Sequence, residues 1–170
     1  MEGPRRPGDA VKRRIILTLA TLFSLGRSPI APGTAGSFGS LVLLWGLAYF
    51  LSTPVFSVVL SAGIFLFVTV GIPVSDYVEK WEGRTDPGLV VIDEAAGQWL
   101  TFLFIPSSII TGHFWVPVAG FLLFRFFDIT KIFPADLVQK MPGGWGIVVD
   151  DIVAGLYACL ALNLLVKWVL

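Results

Sequence analysis

Five carboxylates stand where polar segments of the chain meet long apolar ones. An acid at the depth of an apolar helix is costly without a partner, and adjacent acids repel each other unless a cation lies between them. Oxygen ligands without histidine or cysteine suit Mg²⁺ or Mn²⁺ better than zinc. The pattern therefore predicts a divalent-cation site, while helix capping is the alternative for any single acid. The five residues are Asp93, Glu94, Asp128, Asp150 and Asp151.

Arg125, Asp128 and Lys131 follow one another at intervals of three. On a helix this spacing puts them along one face. The planar guanidinium of arginine binds phosphate oxygens in pairs, so Arg125 is a candidate phosphate ligand while Asp128 turns toward a metal. A structural ion pair at a helix end is the alternative. The glycine-rich segments 31–37 and 141–146 precede apolar stretches and favour phosphate binding by backbone N–H groups, although this signal alone is weak.

Other classes of site lack their residues. His113 is the only histidine, so the sequence excludes a His-dependent phosphatase and a Ser–His–Asp hydrolase. No GxxxxGK[ST] or GxGxxG segment indicates a nucleotide site. The six tryptophans are explained as membrane-interface anchors and packing residues, and no nucleic-acid partner is expected. Cys159 is the only cysteine, which excludes an intramolecular disulfide.

The elements that must position these residues are apolar. Residues 28–75 and 95–124 carry no Asp, Glu, Lys or Arg, and a membrane-crossing helix needs about 20 residues. Proline and glycine breakers exclude a regular helix through residues 27–36, which makes Ser37 the expected N-cap. Residues 15–25 are too short to span and are expected to lie in the interface or beside the bundle. The main helices are predicted at 38–51, 55–75, 95–105, 114–127 and 150–170.

We therefore expect a single all-α domain over residues 1–170, with a basic, flexible N-terminus at 1–14. It is a polytopic membrane helical bundle of about six helices, four to five membrane-embedded plus an N-terminal interfacial helix. Gly39, Gly63, Gly97 and Gly155 are expected to be packing positions. Eleven of the twelve Lys and Arg residues then share one face, which predicts that this face is cytoplasmic. Lys167 is alone on the other face.

Four segments of the chain resemble the signature blocks of the bacterial phosphatidylglycerophosphatase A family, in the family's order and spacing. Each block is modest by itself, but four in register are specific. In the third block Ile132 stands where the family usually has proline, which affects the local geometry of the loop rather than its chemistry. The blocks are SPIAPGTAGS (28–37), DPGLVVIDEAAG (86–97), FRFFDITKIFP (124–134) and GGWGIVVDDIVAG (143–155).

The resemblance implies a Mg²⁺-dependent lipid phosphatase of the bacterial inner membrane. It would hydrolyse the terminal phosphomonoester of phosphatidylglycerophosphate to phosphatidylglycerol and inorganic phosphate. The implied site residues fall into three groups. The implied metal ligands are Asp93, Glu94, Asp128, Asp150 and Asp151, with Asp86 in support. The residues implied in phosphate and substrate binding are Thr34, Ser37, Arg125 and Lys131. The implied catalytic residues are Asp150, Asp128 and Arg125.

Two other functions are compatible with the same acids. A transport or channel component would line a cation path with them, but such a path needs polar groups on both faces. A structural membrane protein would use its charges only to set topology. Which carboxylate is a base, whether one or two metals bind, and the oligomeric state are all left open by the sequence.

Overall fold

The computed structural model describes residues 7–170, and all regular secondary structure in that range is helical. The predicted all-α class is confirmed. Of the basic N-terminus, residues 1–6 lie outside the described residues and residues 7–14 belong to the first helix. The elements are α1 (Pro7–Ala20), a 3₁₀ turn (Leu25–Arg27), α2 (Pro32–Phe50), α3 (Thr53–Glu82), α4 (Ile92–Leu100), α5 (Ser107–Gly112), α6 (Trp115–Thr130), α7 (Ala135–Val138) and α8 (Gly144–Val169).

Three of these helices, α2, α3 and α8, are long and apolar enough to cross a membrane. The expected six helices are not confirmed, because the described residues form eight α-helices and one 3₁₀ turn. Residues 95–124 account for part of the difference, since they lie in three helices rather than two. With 9 residues, α4 is too short to span a bilayer alone, so it is a buried helix among longer ones.

The helix α2 begins at Pro32, inside the segment expected to be a loop, so the prediction of Ser37 as an N-cap is wrong. Proline is tolerated in the first turn of a helix because its missing N–H would have no partner there. Gly36 does not break the helix either. A Cβ on Gly36 would lie 3.0 Å from Cγ2 of Val91, so this glycine lets α2 approach the segment that leads into α4.

The helix α3 runs seven residues past the predicted end at residue 75. Pro73 lies inside it, and Gly83 ends it with a left-handed backbone at φ 67°. The polar stretch after residue 75, expected to be a loop, is therefore helical through Glu82. In this extension Trp81 lies under the guanidinium of Arg13 from α1, 5.6 Å from the ring centre.

The end of α1, the segment before α4 and the residue after α7 meet at one end of the bundle. The N–H of Val91 donates to the carbonyl of Ala20 at 2.9 Å, and Gln139 donates to Asp86 at 3.4 Å. The opposite end is held by uncharged groups, since the hydroxyl of Ser107 donates to the carbonyl of Leu51 at 3.2 Å. The hydroxyl groups of Ser107 and Thr53 also lie within hydrogen-bond distance of each other at this opposite end.

The short helix α4 occupies the middle of this bundle. It contacts α2, α3, α6 and α8, and all of its residues except Glu94 are buried. The indole N–H of Trp99 donates to the carbonyl of Ser40 in α2 at 3.0 Å. On α3, Gly63 leaves room for the same ring. These contacts hold α4 rigidly, so the two acids in its first turn have a defined position.

Candidate metal and phosphate site

Three of the five predicted metal ligands come together. Asp93 and Glu94 on α4 and Asp151 on α8 each offer a carboxylate oxygen, and these oxygens all lie within 4.8 Å of one another. Asp93 and Asp151 are only 5% and 3% exposed. Three carboxylates in so small a volume repel each other strongly unless protons or a cation reduce their charge.

Two glycines bring these acids together. Gly97 follows Asp93 by four residues on α4, and Gly155 follows Asp151 by four residues on α8, so each glycine lies one turn further along the same face. A Cβ on Gly155 would lie 2.6 Å from the carbonyl oxygen of Gly97 and 2.9 Å from its Cα. The two helices therefore touch backbone to backbone, and this contact sets the separation of the carboxylates one turn away.

The acidic group has unused ligand atoms. Oδ1 of Asp93, Oε2 of Glu94 and Oδ2 of Asp151 are buried, and none has a hydrogen-bond partner among the described residues. A buried polar atom without a partner is costly, and a buried charged one more so. Oxygen atoms of carboxylates are the ligands that Mg²⁺ prefers in proteins. The residues present therefore fit a divalent cation.

Burial and the close packing of these acids raise the pKa values of the two acids at the start of α4. Burial, with added repulsion from Glu94, raises the pKa of Asp93 well above its usual range. Burial also raises the pKa of Glu94 to about 8; the charge of Asp151 adds to the rise, while a hydrogen bond from Asp93 opposes it. Without a cation, Glu94 therefore holds a proton in the folded protein at neutral pH.

This protonation predicts how pH and Mg²⁺ act on stability. Because the pKa of Glu94 is raised from 4.5 to about 8, the unfolded chain loses a proton that the folded protein retains, and stability falls as pH rises between those values. With chelator, we expect the melting temperature in detergent to be lower at pH 8 than at pH 6 by about 3 °C or more. Mg²⁺ should raise it more at pH 8, because the cation replaces the proton.

The control for this prediction is Glu94→Gln, which cannot titrate. The variant should lose the part of the difference between pH 6 and pH 8 that Glu94 contributes, while Asp93 still contributes its own part. A Mg²⁺ effect of the same size at both pH values, unchanged in the variant, would contradict the assignment of Glu94 to the cation site.

A buried ion pair borders the acidic group. Nη1 of Arg125 lies 2.6 Å from Oδ2 of Asp128, and the two side chains are 16% and 12% exposed. The same nitrogen donates to the hydroxyl of Ser37 at 3.3 Å. A Cβ on Gly33 would collide with the carboxylate of Glu94 and would lie 3.4 Å from Nη1 of Arg125. The missing side chain of Gly33 thus leaves space between the guanidinium and the acids.

A second ion pair joins Lys131 to Asp150. Burial alone lowers the pKa of Lys131, but the hydrogen bond and the charge of Asp150 outweigh it and raise that pKa above its ordinary value. The lysine is therefore charged. Since α8 begins at Gly144 rather than near Asp150, both Asp150 and Asp151 lie about two turns inside the helix. Helix capping does not explain either acid.

Two other predicted residues are not among the three clustered acids. Thr34 is half-buried in the first turn of α2, next to Gly33. Asp86 is exposed, has a left-handed backbone at φ 51°, and accepts the hydrogen bond from Gln139. Asp128 and Asp150 are not among the three clustered acids, and they form ion pairs with Arg125 and Lys131.

Sequence reasoning missed Gln98. Its side chain is fully buried, and neither of its amide atoms has a partner among the described residues. It lies one helical turn after Glu94 on α4. The spacing of four between two polar residues in an apolar helix was the available signal.

Comparison with known proteins adds an independent finding. The family model described as phosphatidylglycerophosphatase A matches residues 18–166. The chain is 36% identical over 156 residues to phosphatidylglycerophosphatase A of Escherichia coli, covering 88% of this chain and 86% of that one. It is 34% identical to phosphatidylglycerophosphatase A of Haemophilus influenzae, covering 89% of each.

A third relative bears a different name. A protein of Bacteroides thetaiotaomicron, provisionally named a phosphatidylinositol-3-phosphatase, is 33% identical over 152 residues, covering 89% of this chain and 93% of that one. No solved structure matches the chain. All three relatives carry names of enzymes that act on a phosphate of a phospholipid head group.

Proposed function

The chain belongs to the phosphatidylglycerophosphatase A family and is a phosphatase, and from that premise we propose that it hydrolyses the terminal phosphomonoester of phosphatidylglycerophosphate with the help of Mg²⁺. The products are phosphatidylglycerol and inorganic phosphate. The observation that carries the metal part of the proposal is the group of Asp93, Glu94 and Asp151, each with a buried carboxylate oxygen that lacks a partner.

These three acids would hold the cation. When bound, Mg²⁺ neutralises charge on the phosphate and lowers the pKa of an attacking water. Asp128 and Asp150, also proposed as ligands from the sequence, lie at the border of the group within reach of cationic side chains. Asp128 forms an ion pair with Arg125 and Asp150 forms one with Lys131, so these ion pairs orient both carboxylates for a second cation or for the water.

The two positively charged side chains of the site, Arg125 and Lys131, are proposed to bind the phosphate. Arg125 offers a planar guanidinium for two oxygens of the phosphoryl group, and Asp128 and Ser37 hold it in place. Lys131 adds a positive charge for the oxygens that gain charge in the transition state. Asp150, oriented by Lys131, is the proposed base that accepts a proton from the attacking water. Thr34 lies in the same first turn of α2 as Gly33 and is proposed to contact the substrate, with Asp86 in support.

The location follows from the charge distribution. With α2, α3 and α8 crossing the bilayer, the end that carries the acids also carries nine of the ten Lys and Arg residues within residues 7–170. Loops rich in Lys and Arg stay cytoplasmic. We therefore propose a multi-pass protein of the bacterial inner membrane, in one domain over residues 1–170, with its active face toward the cytoplasm. The head group of the substrate reaches this face directly.

The test is phosphate release by purified protein in detergent. We expect release from phosphatidylglycerophosphate with Mg²⁺ and none with chelator. Because the Bacteroides relative is named for another lipid, phosphatidylinositol-3-phosphate is the competing substrate, and its kcat/KM should be lower by about tenfold or more. A preference for the inositol lipid would overturn the substrate assignment, and full activity in chelator would overturn the metal assignment.

A further inference from the structure

We propose that a pocket of three arginines binds the phosphate of an anionic phospholipid head group at a place separate from the acidic site. The pocket lies between α1 and the 3₁₀ turn and has a volume of about 440 Å³. It shares no lining residue with the acidic group. It is lined by Ala10, Val11, Arg13, Arg14, Leu17 and Arg27.

This pocket is rich in positive charge. Within residues 7–170 its lining contains no carboxylate, and Arg13, Arg14 and Arg27 form no ion pair there. Arg14 and Arg27 are exposed, while Arg13 is held against the ring of Trp81. Three guanidinium groups around one cavity repel each other, and a bound phosphate relieves that repulsion while accepting paired hydrogen bonds.

The position of the pocket favours a lipid over a free anion. Gly26, next to Arg27, packs against the backbone of Leu89, so the pocket lies at the same end of the bundle as the acidic site. That end meets a membrane surface when the three long apolar helices cross the bilayer. Val11 and Leu17 give the pocket an apolar side that suits the glycerol and first methylenes of a phospholipid. Inorganic phosphate would leave that side unused.

The test compares lipid binding by the wild-type protein and by the double variant Arg14→Gln/Arg27→Gln in uncharged detergent. Phosphatidylglycerol and phosphatidylcholine are titrated separately, and bound lipid is counted by native mass spectrometry. We expect the wild type to prefer phosphatidylglycerol and the double variant to bind it about 30-fold more weakly, since each arginine near a lipid surface contributes a factor of about five. Arg13 is left unchanged because it packs on Trp81.

The matched control is Lys12→Gln, which removes one charge from the same helix at a residue that does not line the pocket. Lipid binding by Lys12→Gln is compared with lipid binding by the single variant Arg27→Gln. The first variant loses a positive charge outside the pocket, and the second loses one inside it. Arg27→Gln should weaken binding about fivefold, and Lys12→Gln should weaken it clearly less, because Lys12 does not line the pocket and makes no paired hydrogen bonds to the phosphate. If the double variant does not fold, Arg27→Gln alone still tests whether the pocket binds the lipid.

Three results would overturn the proposal. Equal losses in Lys12→Gln and Arg27→Gln would mean that only overall charge attracts the lipid. Equal binding of phosphatidylcholine and phosphatidylglycerol would exclude recognition of the anionic head group. Displacement of the lipid by an equal concentration of inorganic phosphate would identify a site for a free anion.

Discussion

Replacing Asp151 with asparagine is expected to lower Mg²⁺-dependent phosphate release by a factor of about 10³. Asparagine keeps the shape of the side chain but removes the charge from one of three acids that share the proposed cation. Loss of metal-assisted charge stabilisation is worth several kcal/mol, and each 1.36 kcal/mol is a factor of ten in rate. The measurement is kcat/KM on phosphatidylglycerophosphate over a range of Mg²⁺ concentrations.

Asp136→Asn is the matched control for this change. Asp136 is an exposed acid on the short helix α7, outside the group of three. The same substitution there should leave kcat/KM within about twofold, because an exposed charge far from the reacting groups contributes little. If Asp151→Asn and Asp93→Asn both kept near-normal activity at every Mg²⁺ concentration, the metal site would be wrongly assigned.

Substituting Gly155 with alanine should disrupt the site without touching an acid. The new Cβ would lie 2.6 Å from the carbonyl oxygen of Gly97, which is backbone and cannot rotate away. The helices α4 and α8 must then separate. Overpacking of this kind costs about 1–3 kcal/mol, and a displacement of about 1 Å in a catalytic group costs about 100-fold in rate. We expect a lower melting temperature and a loss of activity of about that size.

Gly46→Ala separates this effect from the intrinsic change of glycine to alanine. Gly46 lies inside α2, and a Cβ there meets nothing within 4 Å. That variant should be as stable as the wild type or more stable by up to about 1 kcal/mol, because alanine favours the helix. Thermal unfolding in detergent with chelator measures both variants. Equal behaviour of the two would refute the close contact between α4 and α8.

Much of the site was accessible from the sequence because charged residues are rare in this chain. With so few acids, those beside apolar segments could be recognised as candidates. The i,i+3 spacing of Arg125 and Asp128 left an ion pair open as the alternative to separate phosphate and metal roles, and the structure contains that ion pair. The packing role of Gly97 and Gly155 was also predicted correctly. In both cases the local sequence pattern already contains the residues that make the tertiary contact.

The start of α2 could not be predicted in the same way. Nor could the separation of the five acids into a group of three and two that form ion pairs. Pro32 is compatible with the helix because it lies in the first turn, and at Gly36 the close contact with Val91 outweighs the low helix propensity of glycine. The partners of Asp128 and Asp150 depend on where three separate helices meet, and no sequence spacing encodes that. Gln98 was missed because a single amide in an apolar helix resembles any polar residue until its burial is known.

The acids of α4 precede Asp151 by more than 50 residues in the chain. Since synthesis proceeds at roughly 5–20 residues per second, Asp93 and Glu94 leave the ribosome several seconds before α8 exists. During that interval α4 has neither the glycine contact of Gly155 nor the third carboxylate. If the three acids hold the cation as proposed, we expect the nascent chain to be inactive until α8 packs against α4.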